Sequence, residues 1–232
     1  EKGMEIASIG AHHLTIHPRK WQLAGQMEVM KKAIDFAADV KARTVVAYIG
    51  GYYNPPVYKL MSRKEATRVM VESVRECADY CGERGLTFSI EPHQETLINT
   101  VDATLEIIEQ VDRENLRVTI DFGGMELGMR PFVPVRDAFK SFDGLLNHVH
   151  AKDITGVIGH WNMCWFGGGL VDFKEYADSL RAMNYDGYVC VEWEGWFKGG
   201  LEGVGDMSEP GLADMDRASL EAYEFLSPIF ED

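Results

Sequence analysis

Four side chains that commonly bind metal ions lie at or near the ends of four apolar stretches. They are Glu91 in LTFSIEPH, Asp121 in LRVTIDFG, His150 in LLNHVHAKD and Glu192 in YVCVEWEG. A lone carboxylate at a strand end is usually a solvated rim group or a cap, and a lone histidine is usually a core residue. Because the pattern recurs in four stretches, we predict one shared site. Three carboxylates and one imidazole suit a single Mn2+, Mg2+ or Co2+ ion better than a structural zinc site, which more often uses cysteine.

The composition limits the partners that the chain can bind. The 232 residues include 37 acidic and 23 basic ones, and the net charge of −14 argues against a nucleic-acid partner. No apolar run approaches the ~20 residues needed to cross a bilayer, so no membrane partner is expected. The first residues lack the apolar core of a signal peptide, and the four cysteines form no paired metal-binding motif. Both features predict a cytoplasmic protein.

The elements that would position the four side chains alternate between strand and helix. Ser62, Thr100 and Asp172 are the predicted helix caps, and Leu220 and Tyr223 are expected to face inward from the last helix. The predicted strands are residues 4–9, 43–49, 86–91, 116–121, 145–151 and 188–193. The predicted helices are residues 21–41, 62–84, 101–111, 133–142, 172–183 and 212–226. The predicted loops include residues 50–56, 123–131, 155–170 and 194–211.

This alternation predicts an α/β fold with a parallel sheet covered by helices. Two arrangements fit the order: a doubly wound open sheet and a (β/α)8 TIM barrel. The long loops all follow strands, as the active-site loops of a barrel do, and no GxGxxG motif of the kind common in open sheets follows a strand. We therefore predict a single barrel domain spanning residues 1–232. Only six βα units are visible, so the first two are expected to be missing at the N-terminus.

The stretches that carry the four side chains resemble a known family. SIEPH, TIDFG, HVHAKD and VCVEWEG, together with residues 167–189, are similar to the xylose-isomerase-like sugar isomerases and epimerases. The resemblance covers essentially the whole chain, and EIASIGAHHLTIHP resembles the third strand of that family and its loop. The resemblance implies that the four side chains bind one divalent metal ion and that Glu91 and Glu192 form the acid–base pair. One departure is Gly124, which stands where many members have histidine.

The resemblance also implies a reaction on a small sugar or polyol. The metal ion would bind the carbonyl and a neighbouring hydroxyl of a ketose and stabilise the enediolate that forms when a proton leaves. One glutamate would remove the proton and the other would return it to another carbon or face. We expect His13, His93, Lys152, Asp153 and Trp165 to contact the substrate. Surface loops, a rim ion pair and aromatic loop packing remain the structural alternatives for these residues.

Other functions fit parts of the pattern. A lyase of the inosose-dehydratase type would use the same metal ion and proton abstraction, but would expel a hydroxyl group. A DNA-repair endonuclease shares the barrel, but it needs a histidine-rich multi-zinc cluster and a basic face that this sequence lacks. An inactive fragment or a non-catalytic sugar-binding protein is the fourth alternative. Without its first two strands a barrel exposes sheet edges, which favours pairing with another copy as a homo-oligomer.

Overall fold

The structure is a computed structural model that describes residues 3–13, 15–52, 56–129, 133–193 and 212–231. Strands β1 to β8 are Ser8–Gly10, Thr44–Ala47, Thr87–Ile90, Leu116–Asp121, Leu146–Ala151, Asp153–Val157, His160–Cys164 and Tyr188–Val191. Helices α1 to α7 are Lys20–Asp39, Arg63–Gly82, Val101–Val111, Phe122–Gly124, Val135–Ser141, Phe173–Ala182 and Leu212–Phe230. A 3-10 helix covers Val57–Lys59, and a π-helical turn covers Met125–Met129. The alternation confirms the predicted α/β class.

The helix caps are the ones that the sequence predicts. The Ser62 hydroxyl accepts the backbone N–H of Glu65 at the start of α2. The side chains of Thr100 and Asp172 cap α3 and α6 in the same way. Each cap satisfies an N–H group that the first turn of a helix leaves without a helical partner, and such a cap typically contributes about 1 kcal/mol.

The chain divides into two compact units, the first of which comprises residues 1–120 and 144–148. Its strands follow the order β1-β2-β3-β4-β5, with β1 to β4 paired in parallel and β5 represented by residues 146–148. Every residue of β2 is buried, as expected for a parallel strand that is covered on both faces. The buried face of α2, from Val69 to Cys81, joins the same hydrophobic core as α1 and α3.

A buried polar network links the strands of the first unit. The Ser89 hydroxyl of β3 lies 2.7 Å from the Thr119 hydroxyl of β4 and donates to Asn147 Oδ1 of β5 at 2.8 Å. Asn147 in turn donates to the Thr44 hydroxyl of β2 at 3.3 Å. Because a slip in strand register would leave these buried groups unpaired, the network helps to hold the strand ends level with one another.

The second unit comprises residues 121–143 and 149–232. Here the end of β5 is followed in the sheet by β8, and the N–H of Glu192 donates to the carbonyl of Ala151 at 3.0 Å. The core contains an aromatic cluster in which the rings of Phe122 and Tyr176 are 4.2 Å apart and the rings of Phe139 and Tyr176 are 5.8 Å apart. Both phenylalanines and Tyr176 are buried, so the cluster anchors α4, α5 and α6 to one another.

Residues 155–170 are predicted to form a loop, and this prediction is wrong for the first half of the segment. Strands β6 and β7 pair there as an antiparallel hairpin with a two-residue connection at residues 158–159. Gly159 adopts a φ of +80°, and a Cβ on Gly156 would lie 2.2 Å from the His160 carbonyl oxygen. Glycines at these places allow the tight turn and the close approach of the two strands, and they are the hairpin signal that the loop prediction overlooked.

Two other predictions are corrected. Within residues 123–131, predicted as a loop, residues 125–129 form the π-helical turn. In α7, Leu220 and Tyr223 are 55% and 60% exposed, whereas Ala218, Ala222 and Leu226 are buried. The prediction that Leu220 and Tyr223 face inward is therefore wrong. The residues at positions 218, 222 and 226 share one helix face by their four-residue spacing, and that face is the buried one.

Two predictions about the extent of the chain stay predictions: the single domain over residues 1–232 and the absence of the first two βα units. Among the described residues, no helix is long and apolar enough to span a membrane.

Candidate metal and active site

Three of the four predicted metal ligands meet within the second unit. Asp121 is the last residue of β4, His150 lies in β5, and Glu192 directly follows β8. Each offers one ligand atom, and these atoms lie within 4.8 Å of one another. Asp121 is 2% exposed, and His150 and Glu192 are half-buried, with His150 Nδ1 3.5 Å from Glu192 Oε2. Two carboxylates and an imidazole at such separations are a donor set that fits one divalent cation.

Glycine at position 124 is explained by the conformation of Asp121. One carboxylate oxygen of Asp121 accepts the backbone N–H of Gly124 and caps α4. A Cβ on Gly124 would lie 2.9 Å from that same oxygen. Histidine, which many members of the resembled family have here, would therefore require the Asp121 carboxylate to move.

Lys152 places a buried positive charge between two of the acidic ligands. Its side chain is almost completely buried, and Nζ lies 3.2 Å from Glu192 Oε2 and 3.4 Å from Asp121 Oδ1. The same ammonium lies 5.9 Å from the centre of the Trp161 ring. Because like charges repel strongly away from water, the ammonium offsets the repulsion between the two carboxylates.

Asp153, the next residue, organises a loop of the second unit. Its carboxylate is 1% exposed and accepts four backbone N–H groups, those of residues 154, 167, 169 and 171, at distances of 2.9 to 3.2 Å. A Cβ on Gly169 would lie 2.1 Å from Asp153 Oδ1. Three of these charge-assisted hydrogen bonds hold residues 167–171 against the start of β6.

An aromatic cluster follows from this loop conformation. The Trp165 ring lies 5.4 Å from the Trp193 ring, and the Phe166 ring lies 5.3 Å from Trp193, both in edge-on contact. Trp193 is the residue after Glu192, so the cluster forms an apolar surface next to one acidic ligand. Trp196, three residues further along the chain, lies outside the described residues.

Glu91 occupies the corresponding position in the first unit. It directly follows β3, is 4% exposed, and its N–H donates to the Ala47 carbonyl at the end of β2. Barrel enzymes place their metal ligands and acid–base groups at the carboxyl ends of the parallel strands, and the buried Glu91 carboxylate occupies such a position.

Two predicted substrate contacts, His13 and His93, also lie in the first unit. His13 is half-buried, and burial together with neighbouring His12 lowers its pKa. The His93 ring lies 5.2 Å from that of Tyr48, which in turn lies 6.3 Å from that of His12. His12 and Tyr48 were not predicted, although both follow strands, the same positional signal that identified Glu91.

The family comparison matches this architecture. The family model described as a xylose isomerase-like TIM barrel matches residues 1–208, and the chain belongs to that family. The predicted (β/α)8 fold class and the stated resemblance are therefore confirmed, with six βα strands of the barrel sheet visible in β1 to β5 and β8.

Individual relatives are more distant. L-ribulose-5-phosphate 3-epimerase UlaE from Escherichia coli is 25% identical over 166 residues, which is 72% of this chain and 55% of the relative. The crystal structure of D-psicose 3-epimerase with D-tagatose from Clostridium cellulolyticum H10 has a TM-score of 0.75 and 19% identity, covering 98% of this chain and 79% of that one. The structure of the IOLI protein with a bound zinc atom also has a TM-score of 0.75, at 16% identity, covering 98% and 78%. The chain spans about half the length of the curated relatives that it matches.

Proposed function

We propose that this chain carries the active site of a metal-dependent sugar epimerase that acts at a carbon next to the carbonyl of a ketose. The observation that supports the proposal most strongly is the meeting of the Asp121, His150 and Glu192 ligand atoms within 4.8 Å. Relatives whose names describe ketose or ketose-phosphate 3-epimerases add support.

In this proposal four residues hold one divalent ion: Glu91, Asp121, His150 and Glu192. Glu91 is included because it is buried and directly follows β3, the strand that pairs with the strand of Asp121. Oxygen-rich donor sets favour Mn2+, Mg2+ or Co2+, among which we propose Mn2+ first. The bound ion would supply Lewis-acid stabilisation of the enediolate.

The proton is moved by the two glutamates. One of Glu91 and Glu192 removes the proton next to the carbonyl, and the other returns it from the opposite face of the flat intermediate. The Lys152 ammonium donates a hydrogen bond to Glu192 Oε2 at 3.2 Å and would donate another to a substrate oxygen. Return of the proton distinguishes an epimerase from a dehydratase, in which a hydroxyl group leaves instead.

The remaining predicted contacts take different roles. His13 and His93 would donate hydrogen bonds to substrate hydroxyls, and Trp165 with Trp193 would pack against the C–H face of the sugar. For Asp153, the four backbone N–H groups that it accepts support a positioning role: it holds the loop that carries Trp165. Substrate class, cytoplasmic location and assembly into homo-oligomers stay predictions.

Proton exchange tests the proposal directly. The Mn2+-loaded protein is incubated with free ketohexoses in D2O, and NMR follows deuterium incorporation at the carbon next to the carbonyl together with formation of the epimer. We expect Glu192→Gln to lower the exchange rate by about 1,000-fold, within the range typical of acid–base groups. Glu224→Gln, on the exposed face of α7, is the control and should exchange at the wild-type rate. Full exchange in Glu192→Gln would contradict the acid–base role, and an unsaturated product would favour the dehydratase alternative.

A further inference from the structure

A buried tyrosine of α6 is hydrogen-bonded to the segment that directly follows Asp121. Tyr176 is fully buried, and its hydroxyl lies 3.0 Å from Glu126 Oε1 and 3.3 Å from the Phe122 carbonyl oxygen. A carbonyl oxygen and a carboxylate oxygen can only accept hydrogen bonds, so the hydroxyl is the donor. We call Tyr176, Phe122 and Glu126 the tyrosine clamp.

The tyrosine clamp spans the backbone N–H that caps α4. The Asp121 carboxylate accepts this N–H from Gly124, and α4 is followed directly by the π-helical turn. The Tyr176 hydroxyl contacts one residue before Gly124 and one after it, at positions 122 and 126. A helix as short as α4 is not stable by itself, so contacts from α6 help to define where the Gly124 N–H points.

Two charged groups of the candidate site border the segment that the tyrosine clamp holds. The first is the Asp121 carboxylate itself, through its hydrogen bond with Gly124. The second is Lys152, since a Cβ on Gly123 would lie 2.9 Å from its Cγ and its Nζ lies 3.4 Å from Asp121 Oδ1. A shift of residues 122–124 would therefore change the direction of the carboxylate and the space that the lysine stem occupies.

The hydroxyl of Tyr176 makes a connection that its ring cannot make. The ring packs against Phe122 at a centroid distance of 4.2 Å and against Phe139 at 5.8 Å, and phenylalanine would keep both contacts. The Phe122 carbonyl also accepts the N–H of Met125, so without the hydroxyl that oxygen would still be bonded within the turn. A buried hydroxyl costs stability unless it is hydrogen-bonded, and here its bonds join α6 to the backbone next to Asp121 and to a side chain of the π-helical turn.

We infer that Tyr176 is a positioning residue of the candidate metal site, which holds residues 122–126 so that the Asp121 carboxylate is oriented to bind the divalent ion. Glu126 is the second part of this arrangement, because it accepts the hydroxyl. Both residues act through the cap of α4, and neither is proposed as a ligand. The inference rests on the proposed function, since Asp121 is a metal ligand in that proposal.

Mn2+ binding without substrate tests the tyrosine clamp. Electron paramagnetic resonance measures the Mn2+ affinity, and Tyr176→Phe should bind Mn2+ about 10-fold more weakly than the wild type, at the lower end of the effect of removing groups that orient metal ligands. Glu126→Gln keeps an oxygen that can accept the hydroxyl, so its affinity should stay within about 3-fold of the wild-type value. Glu126→Leu lacks that acceptor. Combined with Tyr176→Phe, it should weaken binding by less than the product of the two single effects, because both changes remove the same hydrogen bond.

Amide exchange tests the route through the cap of α4. In the metal-free protein, NMR should show the Gly124 N–H exchanging with solvent about 10-fold faster in Tyr176→Phe than in the wild type, because the cap opens more often. Tyr80→Phe is the matched control, since the Tyr80 hydroxyl also donates to a carboxylate, that of Asp35 at 3.1 Å, but joins α1 to α2. This control should keep the wild-type Mn2+ affinity and the wild-type Gly124 exchange rate, whatever its effect on Tm.

The inference is overturned if Tyr176→Phe keeps the wild-type Mn2+ affinity or the wild-type Gly124 exchange rate, or if Tyr80→Phe loses as much affinity. It is also overturned if the wild type binds no Mn2+. If Glu126→Gln weakens binding more than Tyr176→Phe does, the charge of Glu126 and not its hydrogen bond is what matters, and the inference is again overturned. Failure of the proposed function gives a different result: no deuterium enters any ketose, yet Tyr176→Phe still loses Mn2+ affinity.

Discussion

Replacing Lys152 by methionine tests the electrostatics of the candidate site before any substrate is involved. The ammonium lies 3.2 Å from a Glu192 oxygen and 3.4 Å from an Asp121 oxygen. Methionine has a similar length and no charge, so it fills the same space. The change leaves two acidic side chains facing each other with their countercharge removed.

The size of the effect follows from these distances. At an effective dielectric constant of about 20, each ammonium–carboxylate pair at this separation attracts by about 5 kcal/mol, most of which the cost of desolvation offsets. Removal of one partner from a buried ion pair typically costs about 3 to 5 kcal/mol. Because Glu192 keeps 22% of its side chain exposed, we expect a loss of about 3 kcal/mol. For a chain of this length, such a loss lowers Tm by about 6 to 12 °C.

Thermal unfolding followed by circular dichroism, with and without Mn2+, provides the assay. The metal-free Lys152→Met protein should melt well below the wild type. Mn2+ should then raise its Tm by more than it raises that of the wild type, because a bound cation replaces the missing positive charge and ligand binding stabilises the folded state. Chelation by EDTA should reverse the gain.

Lys174→Met is the matched control, since this lysine also contacts a carboxylate, Asp178 at 2.6 Å, but its side chain is 77% exposed. Its Tm should stay close to the wild-type value because solvent screens exposed pairs. If metal-free Lys152→Met is as stable as the wild type, or if Mn2+ raises both melting temperatures equally, the two carboxylates do not depend on this ammonium and the reasoning is refuted.

Two further predictions concern stability. Gly169→Ala would place a Cβ 2.1 Å from Asp153 Oδ1, so we expect it to lower the free energy of unfolding in urea by about 2 kcal/mol or more. Gly25→Ala is the control, because a Cβ there meets open space within α1, and it should be neutral or stabilising by up to about 1 kcal/mol. Equal free energies of unfolding for the two variants would contradict the close packing at residue 169. Arg113 lowers the pKa of the Asp79 carboxyl by hydrogen bonding. The contribution of this ion pair to stability is therefore present above the unfolded-state pKa of Asp79 and is lost as pH falls through the lower folded-state pKa. In urea unfolding from pH 6 to pH 2, the stability of Asp79→Asn should depend less on pH than that of the wild type, and an unchanged dependence would refute the coupling.

The positions of Gly123 and Gly124 show how closely the site is built around its charged groups. A Cβ on Gly123 would lie 2.9 Å from Lys152 Cγ, and one on Gly124 would lie 2.9 Å from Asp121 Oδ1. The two glycines thus leave room for the lysine stem and for the carboxylate that caps α4. The departure from the family pattern at position 124 accompanies a particular packing of Asp121, which a histidine would change.

Local sequence determined the features that depend on neighbouring residues alone. The Ser62, Thr100 and Asp172 caps, the strands that end near Glu91 and Asp121, and the α/β class were all predicted, because capping and hydrophobic periodicity are properties of short segments. The parallel order of the strands then makes it possible to predict that side chains at the strand ends are neighbours. Asp121, His150 and Glu192 follow that rule, although 71 residues separate the first from the last.

Tertiary structure alone decided what each polar group near those strand ends does. Sequence treated Lys152 and Asp153 alike, yet the lysine lies between two carboxylates and the aspartate accepts backbone N–H groups of residues up to 18 positions away. His12 and Tyr48, which follow β1 and β2, are joined by a hydrogen bond from the Tyr48 N–H to His12 Nδ1 that no short motif specifies. The energy of a polar group depends on which neighbours replace water around it. For these residues the neighbours are set only when strands far apart in sequence pair, so their distances, burial and hydrogen-bond directions are not determined by short segments.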